Sequence, residues 1–117
     1  MLTLKTQENK DFGRVLRDDQ GAIVRIVEER DASPAEKTVD EYNAGVYCLK
    51  KDLLFKALGE IDNNNIQKEY YLTDIILYMV RNQFKVYAVQ TVDADEIFGV
   101  NTENDLKQAE ELLQKRR

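Results

Sequence analysis

Four residues of types that could bind a ligand stand where a core strand, or its exit, would ordinarily be apolar. Gly13 precedes a strand-like run, and the lack of a Cβ lets its backbone N–H approach a ligand closely. The Glu28 carboxylate could accept hydrogen bonds from a pair of sugar hydroxyls. Asn43 brings a donor and an acceptor into an apolar run that must satisfy them. Asn101 precedes a helical segment and offers an oxygen to a hard cation.

Each of these residues also has an ordinary structural interpretation. A glycine before a strand is most often part of a turn, and Glu28, one of 22 acidic residues, can simply end a strand in solvent. Backbone groups can satisfy Asn43, and an asparagine before a helix is a common N-cap. The residue types and spacing therefore define candidates without fixing a function.

A second group combines amides with aromatic rings, which suit the hydroxyls and faces of a sugar. Residues 63–65 are three consecutive asparagines, and Tyr70 and Tyr71 follow shortly after. Such residues could line a carbohydrate site. Taken alone, they are equally well explained as turn and core residues.

Composition excludes much of the usual catalytic repertoire. The 117 residues include no histidine and one cysteine, Cys48, which rules out disulfides, zinc fingers and His-dependent triads or dyads. The net charge of −5 argues against nucleic acid and anionic membranes as partners. No apolar run approaches the roughly 20 residues of a membrane helix, and no secretory signal is evident. We expect a reducing, cytoplasmic setting and a small, buried Cys48.

Alternation and turn signals predict the strands that position the candidates. Acidic and glycine residues at 18–21 suit a tight turn, which makes the flanking segments a β-hairpin. The run at 42–49 is rich in aromatic and branched residues and predicts a buried strand. The predicted strands are residues 2–6, 14–17, 22–28, 42–49 and 85–91.

Capping signals and helical spacing predict the helices. Ser33, Pro34 and Glu36 suit the N-cap, first position and capping box of a short helix that ends near Val39. Gly59 is a stop signal, and Thr102 can cap the last helix. The predicted inner faces are Leu53, Leu54, Ala57 and Leu58; Leu72, Ile75, Ile76, Met79 and Val80; and Leu106, Ala109, Leu112 and Leu113.

Five segments in order resemble the sugar-1-phosphate nucleotidyltransferases. They are residues 12–14 (FGR), 26–32 (IVEERDA), 42–47 (YNAGVY), 62–74 (DNNNIQKEYYLTD) and 98–102 (FGVNT). The last two are most similar to the bacterial UDP-N-acetylglucosamine pyrophosphorylase, or N-acetylglucosamine-1-phosphate uridyltransferase, domain that occurs fused to a glucosamine-1-phosphate acetyltransferase.

The resemblance implies a partial α/β, Rossmann-like nucleotidyltransferase fold with a mixed sheet, a β-hairpin and packing helices. It implies a reaction in which UTP and N-acetylglucosamine 1-phosphate give UDP-N-acetylglucosamine and pyrophosphate with Mg²⁺. By the match of motifs, Gly13 would present its N–H to the sugar nucleotide, Glu28 would hold sugar hydroxyls and Asn43 would bind the sugar. Asn101 would ligate Mg²⁺. Phosphoryl-type transfer depends on positioning and charge stabilisation, so it needs no histidine.

The family's glycine-rich nucleotide-binding loop and a metal-binding aspartate have no counterpart here. We therefore expect residues 1–117 to be the C-terminal half of the uridyltransferase domain, inactive alone. Uncovered sheet edge and apolar surface would favour a homo-oligomer or strand-exchanged dimer.

Three positions differ from the family's usual residues, and they leave other functions open. Lys68 stands where glycine is usual, Ala44 where threonine is common, and Asp11-Phe12 where a Gly-Tyr pair is usual. The alternatives are a nucleotidyltransferase for another sugar, and a sugar-nucleotide-binding or regulatory module without catalysis. A purely structural protein would not explain why Glu28, Asn43 and Asn101 fit one pattern.

Overall fold

A computed structural model describes all 117 residues as one mixed five-stranded sheet with three α-helices. The strands are β1 (Leu2–Lys5), β2 (Arg14–Arg17), β3 (Ile23–Val27), β4 (Glu41–Asn43) and β5 (Val89–Thr91), in the order β3-β2-β4-β1-β5. Only the β1–β5 pair is parallel. The helices are α1 (Lys51–Leu58), α2 (Asp74–Arg81) and α3 (Glu103–Arg116), and 3₁₀ turns span Glu36–Thr38 and Ala94–Ile97. The expected α/β fold with a mixed sheet, a hairpin and packing helices is confirmed.

The hairpin and the cap of α3 form as the sequence indicates. Asp18 closes the β2–β3 turn by accepting the Ala22 N–H at 2.9 Å, and Gly21 supplies the left-handed conformation with φ +81°. Ser33 and Glu36 exchange the expected reciprocal hydrogen bonds, at 2.9 and 3.3 Å, but the predicted short helix is only the 3₁₀ turn Glu36–Thr38, whose N-cap is Ala35 and not Ser33. Thr102 and Asp105 form the capping box of α3.

The core lies between the hairpin and the first two helices. Its fully buried residues come from β2, β3, α1 and α2, and the closest helix-to-sheet packing is that of α2 on β3. Leu72, which was expected on the inner face of α2, precedes the helix and is 48% exposed. The buried cluster consists of Val15, Ile23, Ile26, Ala57, Ile75, Ile76 and Met79.

Two predicted strands are shorter than their sequence patterns. The strand expected at 42–49 ends at Asn43, because Gly45 turns the chain with φ +73°, although Ala44 and Val46 still hydrogen-bond to Leu2. The strand expected at 85–91 begins at Val89, because it pairs only with β1, whose first paired residue is Leu2. Cys48 lies beyond the shortened β4 and is exposed, so its expected burial is wrong.

The last helix forms, but its expected inner face is not buried. No residue of α3 is buried, and Leu106 and Leu113 are 51% and 62% exposed. The β5 segment is also uncovered, with Val89 71% exposed. None of the helices has the length and apolar character needed to cross a bilayer.

Candidate functional site

Three of the four candidate residues line one cavity of about 440 Å³ at one end of strands β2, β3 and β4. Gly13 comes from the loop before β2, Glu28 directly follows β3, and Asn43 is the last residue of β4. Both β3 and β4 run antiparallel to β2 on either side of it, so the ends of β3 and β4 and the start of β2 lie at the same end of the sheet. The other lining residues are Leu2, Asp11, Phe12, Ala44, Gly45, Val46, Glu96, Ile97, Phe98 and Gly99.

Gly13 is required here for space. A Cβ on this residue would lie 2.8 Å from Ile26 Cγ2, closer than packed carbon atoms approach, and at a tight 3.2 Å from Glu28 Oε1. Its carbonyl accepts the Asn43 N–H at 2.8 Å, whereas its own N–H has no acceptor within the chain. The glycine therefore brings an unpaired backbone donor into the cavity wall.

Glu28 is held from one side by the segment that leads into α2. The Thr73 hydroxyl donates to Oε1 at 2.8 Å, while Oε2 accepts no hydrogen bond from the protein. The same carboxylate also borders a second cavity, of about 120 Å³, together with Asp31, Tyr71 and Asp74. Thr73 therefore fixes the carboxylate while leaving one oxygen free to accept a ligand hydroxyl.

The second cavity brings together part of the amide and aromatic group. Tyr71 donates to Asp31 at 3.2 Å and accepts from Gln67 at 2.6 Å, and Asn65 lines the same space. Asn63 does not line it, and Tyr70 is 67% exposed. Residues 65–73 therefore contact the chain that follows β3, next to Glu28.

Negative charge accumulates between these two cavities. Burial raises the pKa of Asp74, and the neighbouring carboxylates of Asp62, Glu28 and Asp31 raise it further. The positive charge of Arg25, which lines the second cavity, acts in the opposite direction.

Asn43 is fixed through both its backbone and its side chain. Its N–H donates to the Gly13 carbonyl, and its Oδ1 accepts from the Gly45 N–H at 3.2 Å and from the Tyr47 hydroxyl at 3.0 Å. The Nδ2 group has no hydrogen-bond partner in the chain, and Asn43 lines the cavity. The amide is therefore a second unpaired donor of the site.

Asn101 lies outside this group. It is exposed, does not line the cavity, and its N–H donates to the Asp105 carboxylate at 3.1 Å. Thr102, rather than Asn101, is the N-cap of α3. The structure therefore does not bring Asn101 to the other three candidates, although Phe98 and Gly99 just before it do line the cavity.

The residues present do not assemble a Mg²⁺ site by themselves. No three acidic, cysteine or histidine side chains are grouped so that they could hold a metal ion. The carboxylate nearest Asn101, that of Asp105, already accepts the Thr102 N–H at 2.8 Å and the Asn101 N–H. In proteins Mg²⁺ is usually held by one or two carboxylates, with waters and substrate phosphates completing its near-octahedral coordination.

Arg14 was not among the predicted site residues, although its side chain holds the loop before β2 that lines the cavity. It is 1% exposed, lies 4.7 Å from the centre of the Tyr42 ring and pairs with Glu29. It also donates to the Phe12 carbonyl at 2.8 Å and to Asn9 at 3.0 Å. These bonds hold the loop that presents Gly13. The only sequence signal was a cation directly before a buried strand residue, which is too common to single out.

Comparison with known proteins gives matches along the whole chain. The sequence profile of the family described as Nucleotidyl transferase matches residues 1–115. The "Bifunctional protein GlmU" of Desulfotalea psychrophila is 42% identical over 117 residues, which is 100% of this chain and 34% of the relative. Proteins of the same name from Pelobacter propionicus and Lactobacillus gasseri are 41% and 43% identical over 116 residues, 99% of this chain and 25% of each relative.

These matches correct the expected placement. The chain spans between a quarter and a third of the length of these relatives. The chain, expected to be a C-terminal half, instead matches the N-terminal region of the bifunctional proteins.

Proposed function

Because the chain belongs to the nucleotidyl transferase family, we propose that it contributes the sugar-binding face of an N-acetylglucosamine-1-phosphate uridyltransferase. The complete domain would transfer UMP from UTP to N-acetylglucosamine 1-phosphate and release pyrophosphate, in the cytoplasm. The chain itself would bind the sugar part of UDP-N-acetylglucosamine or of N-acetylglucosamine 1-phosphate.

The observation that carries this proposal is the meeting of Gly13, Glu28 and Asn43 in one cavity. Together they offer two unpaired donors, the Gly13 N–H and Asn43 Nδ2, and one free carboxylate oxygen of Glu28. A sugar ring presents neighbouring hydroxyls that both donate and accept, so it can pair with all three. A cavity of about 440 Å³ has the size of ordinary small-ligand sites.

Catalysis requires groups that this chain does not gather. In-line transfer at a phosphorus depends on positioned cations around the triphosphate. The cavity is lined by Asp11, Glu28 and Glu96 and by no lysine or arginine. Residues from elsewhere in the domain would hold UTP, and Mg²⁺ would neutralise phosphate charge there, with Asn101 as one proposed ligand. We expect the isolated chain to have no measurable turnover.

The test is binding by the isolated chain, followed through its backbone amide NMR signals. Adding UDP-N-acetylglucosamine should shift the signals of residues 13, 28 and 43. The Glu28→Gln variant should weaken binding about tenfold, because a charged acceptor is replaced by a neutral one. Glu110→Gln changes an exposed carboxylate of α3 in the same way and should bind like the unmodified chain.

Two outcomes would contradict the proposal. If the spectrum does not respond to the sugar nucleotide, or if it responds equally to UDP and not to N-acetylglucosamine 1-phosphate, the cavity does not bind the sugar. A uridyltransferase rate comparable to that of the complete enzymes would contradict the expected inactivity.

A binding or regulatory module without catalysis is the second candidate. The cavity lining favours it, since it includes three carboxylates and no lysine or arginine that could hold a triphosphate. Uridyltransferase activity in the full-length protein would exclude it. A panel of sugar phosphates offered to that protein would show whether another sugar is preferred.

A further inference from the structure

The side chain of Asn43 is held by two donors that were not among the candidate site residues. The Gly45 N–H lies 3.2 Å from Oδ1, and the Tyr47 hydroxyl lies 3.0 Å from the same oxygen. Gly45 can reach it because its φ of +73° turns the chain back toward the end of β4. Tyr47 approaches from the following segment.

These two contacts determine which terminal atom of the Asn43 amide is the oxygen and which is the nitrogen. A backbone N–H can only donate, so the atom facing Gly45 must be the oxygen. The second lone pair of that oxygen is taken by the Tyr47 hydroxyl. Rotating the amide by 180° would place Nδ2 against the Gly45 N–H, which puts two donors together. Nδ2 therefore remains at the cavity, with two N–H groups and no acceptor in the chain.

We propose that Tyr47 is a positioning residue that locks the Asn43 amide as a donor toward the ligand. The inference rests on the proposed function, in which this cavity binds a sugar. It deepens that function by defining the ligand group opposite Asn43 as an acceptor, such as an N-acyl carbonyl oxygen or a hydroxyl oxygen that is not donating there. A ligand with an ammonium group at that position is rejected, because two donors would face each other.

The surroundings of Tyr47 suit this role. Its ring is half-buried and packs against the core cluster, so the hydroxyl has a defined position. Burial raises the pKa of Tyr47; its hydrogen bond to Asn43 acts in the opposite direction, and the negative charge of Glu28 adds to the increase. The hydroxyl is consequently protonated at neutral pH and available to donate. Tyr47→Phe removes the donor while leaving the packed ring in place.

The experiment compares the full chain with its Tyr47→Phe variant by NMR, first without ligand. We expect the Asn43 side-chain amide signals and the Gly45 N–H signal to shift, with the rest of the spectrum unchanged. Affinity for UDP-N-acetylglucosamine should then fall about three- to tenfold, the usual effect of one lost hydrogen bond. Tyr87→Phe is the matched control, since this tyrosine is 72% exposed and lies outside the cavity; it should change neither measurement.

A second measurement needs no variant. In the unmodified chain, the Tyr47 hydroxyl proton should exchange slowly with water and show a through-space contact to the Gly45 N–H. The proposal is overturned if that proton is absent, if the Asn43 amide signals of Tyr47→Phe stay at their original positions, or if affinity is unaltered. If the unmodified chain binds no sugar nucleotide, the proposed function fails, and the ligand-free spectra still decide whether Tyr47 orients Asn43.

Discussion

Helices α2 and α3 are both amphipathic, yet only one of them is packed. In α2, Ile75, Ile76 and Met79 are 5% exposed or less and lie against the hairpin. In α3, Leu106 and Leu113 are more than half exposed, and no residue is buried. Helical spacing therefore identifies an apolar face in both, but whether that face is covered depends on tertiary neighbours.

The candidate cavity is built mainly on the packed region. Gly13 and Glu28 flank the hairpin strands, and Thr73, which holds Glu28, directly precedes α2. The stretch that holds β5 and α3 contributes only residues 96–99 to the cavity wall. The residues expected to bind the sugar are thus held mainly by the better packed part of the molecule, as a preorganised site requires.

Core truncation should separate the two regions most clearly. Ile75→Ala removes a side chain that is 1% exposed and should lower the free energy of unfolding by about 3 kcal/mol. Leu113→Ala, at a position 62% exposed, should change it by about 0.5 kcal/mol or less. Urea unfolding followed by circular dichroism measures both. Equal losses would mean that α3 is covered in solution.

Breaking one ion pair in each region should show the same difference, with a smaller loss of stability. Arg17 donates two hydrogen bonds, at 2.7 and 2.8 Å, to the Glu41 carboxylate, which is 6% exposed. Arg17→Ala should lower stability by about 2 kcal/mol, because it leaves this carboxylate buried without its charged partner. Arg116→Ala breaks the exposed pair with Asp93 and should change stability by about 0.5 kcal/mol or less. A large loss in Arg116→Ala would contradict the comparison.

The Arg17–Glu41 pair should also produce a measurable pH dependence. Burial alone would raise the pKa of Glu41, but hydrogen bonds from Arg17 and Thr3 and the charge of Arg17 outweigh it, so the pKa lies below its ordinary value of 4.5. The stabilisation is therefore complete above pH 4.5 and is lost as the pH falls through the lowered pKa. In Arg17→Ala, the stability measured between pH 6 and 3 should fall less steeply than in the unmodified chain. An identical slope would exclude this pair as a source of acid sensitivity.

Backbone conformation at the cavity offers a smaller test. Gly45 has φ +73°, so Gly45→Ala should cost about 1 kcal/mol and disturb the Asn43 side chain that its N–H holds. Gly59 has φ −73°, and its added Cβ would meet nothing closer than 3.5 Å, so Gly59→Ala should be neutral or slightly stabilising. Thermal unfolding of the two variants checks the difference. A stable Gly45→Ala chain would mean that the turn is not fixed.

The smallest expected effect has the opposite sign. Lys68 adopts φ +57°, a left-handed conformation that favours glycine. Lys68→Gly should raise stability by about 0.5 kcal/mol. Lys56→Gly, within α1, should lower it by about 1 kcal/mol. A destabilised Lys68→Gly would show that the lysine side chain makes a compensating contact.

The sequence predicted most where local signals decide the structure. The Asp18 turn, the hydrogen bonds between Ser33 and Glu36, the Thr102 cap, and the existence of α1, α2 and α3 all follow from residues close in the chain. The sequence pattern overestimated the lengths of β4 and β5, because strand length depends on a partner strand and on the conformation of Gly45.

For the site, motif order pointed to Gly13, Glu28 and Asn43, which the fold brings together. It could not reveal Arg14, Thr73 and Tyr47, because their importance lies in contacts with residues far apart in the chain or across a turn. The expected binding of Mg²⁺ by Asn101 and the expected self-association stay predictions.

The position of β1 between β4 and β5 has a kinetic consequence. Thr3 pairs with Asn43 on one side, and Leu2 pairs with Val89 on the other, so both neighbours of β1 come from far along the chain. Closing such long loops costs more chain entropy than forming the local β2–β3 hairpin and is therefore slower. The hairpin can therefore form early, whereas the wall that completes the cavity beside Leu2 assembles only when distant parts of the chain have met.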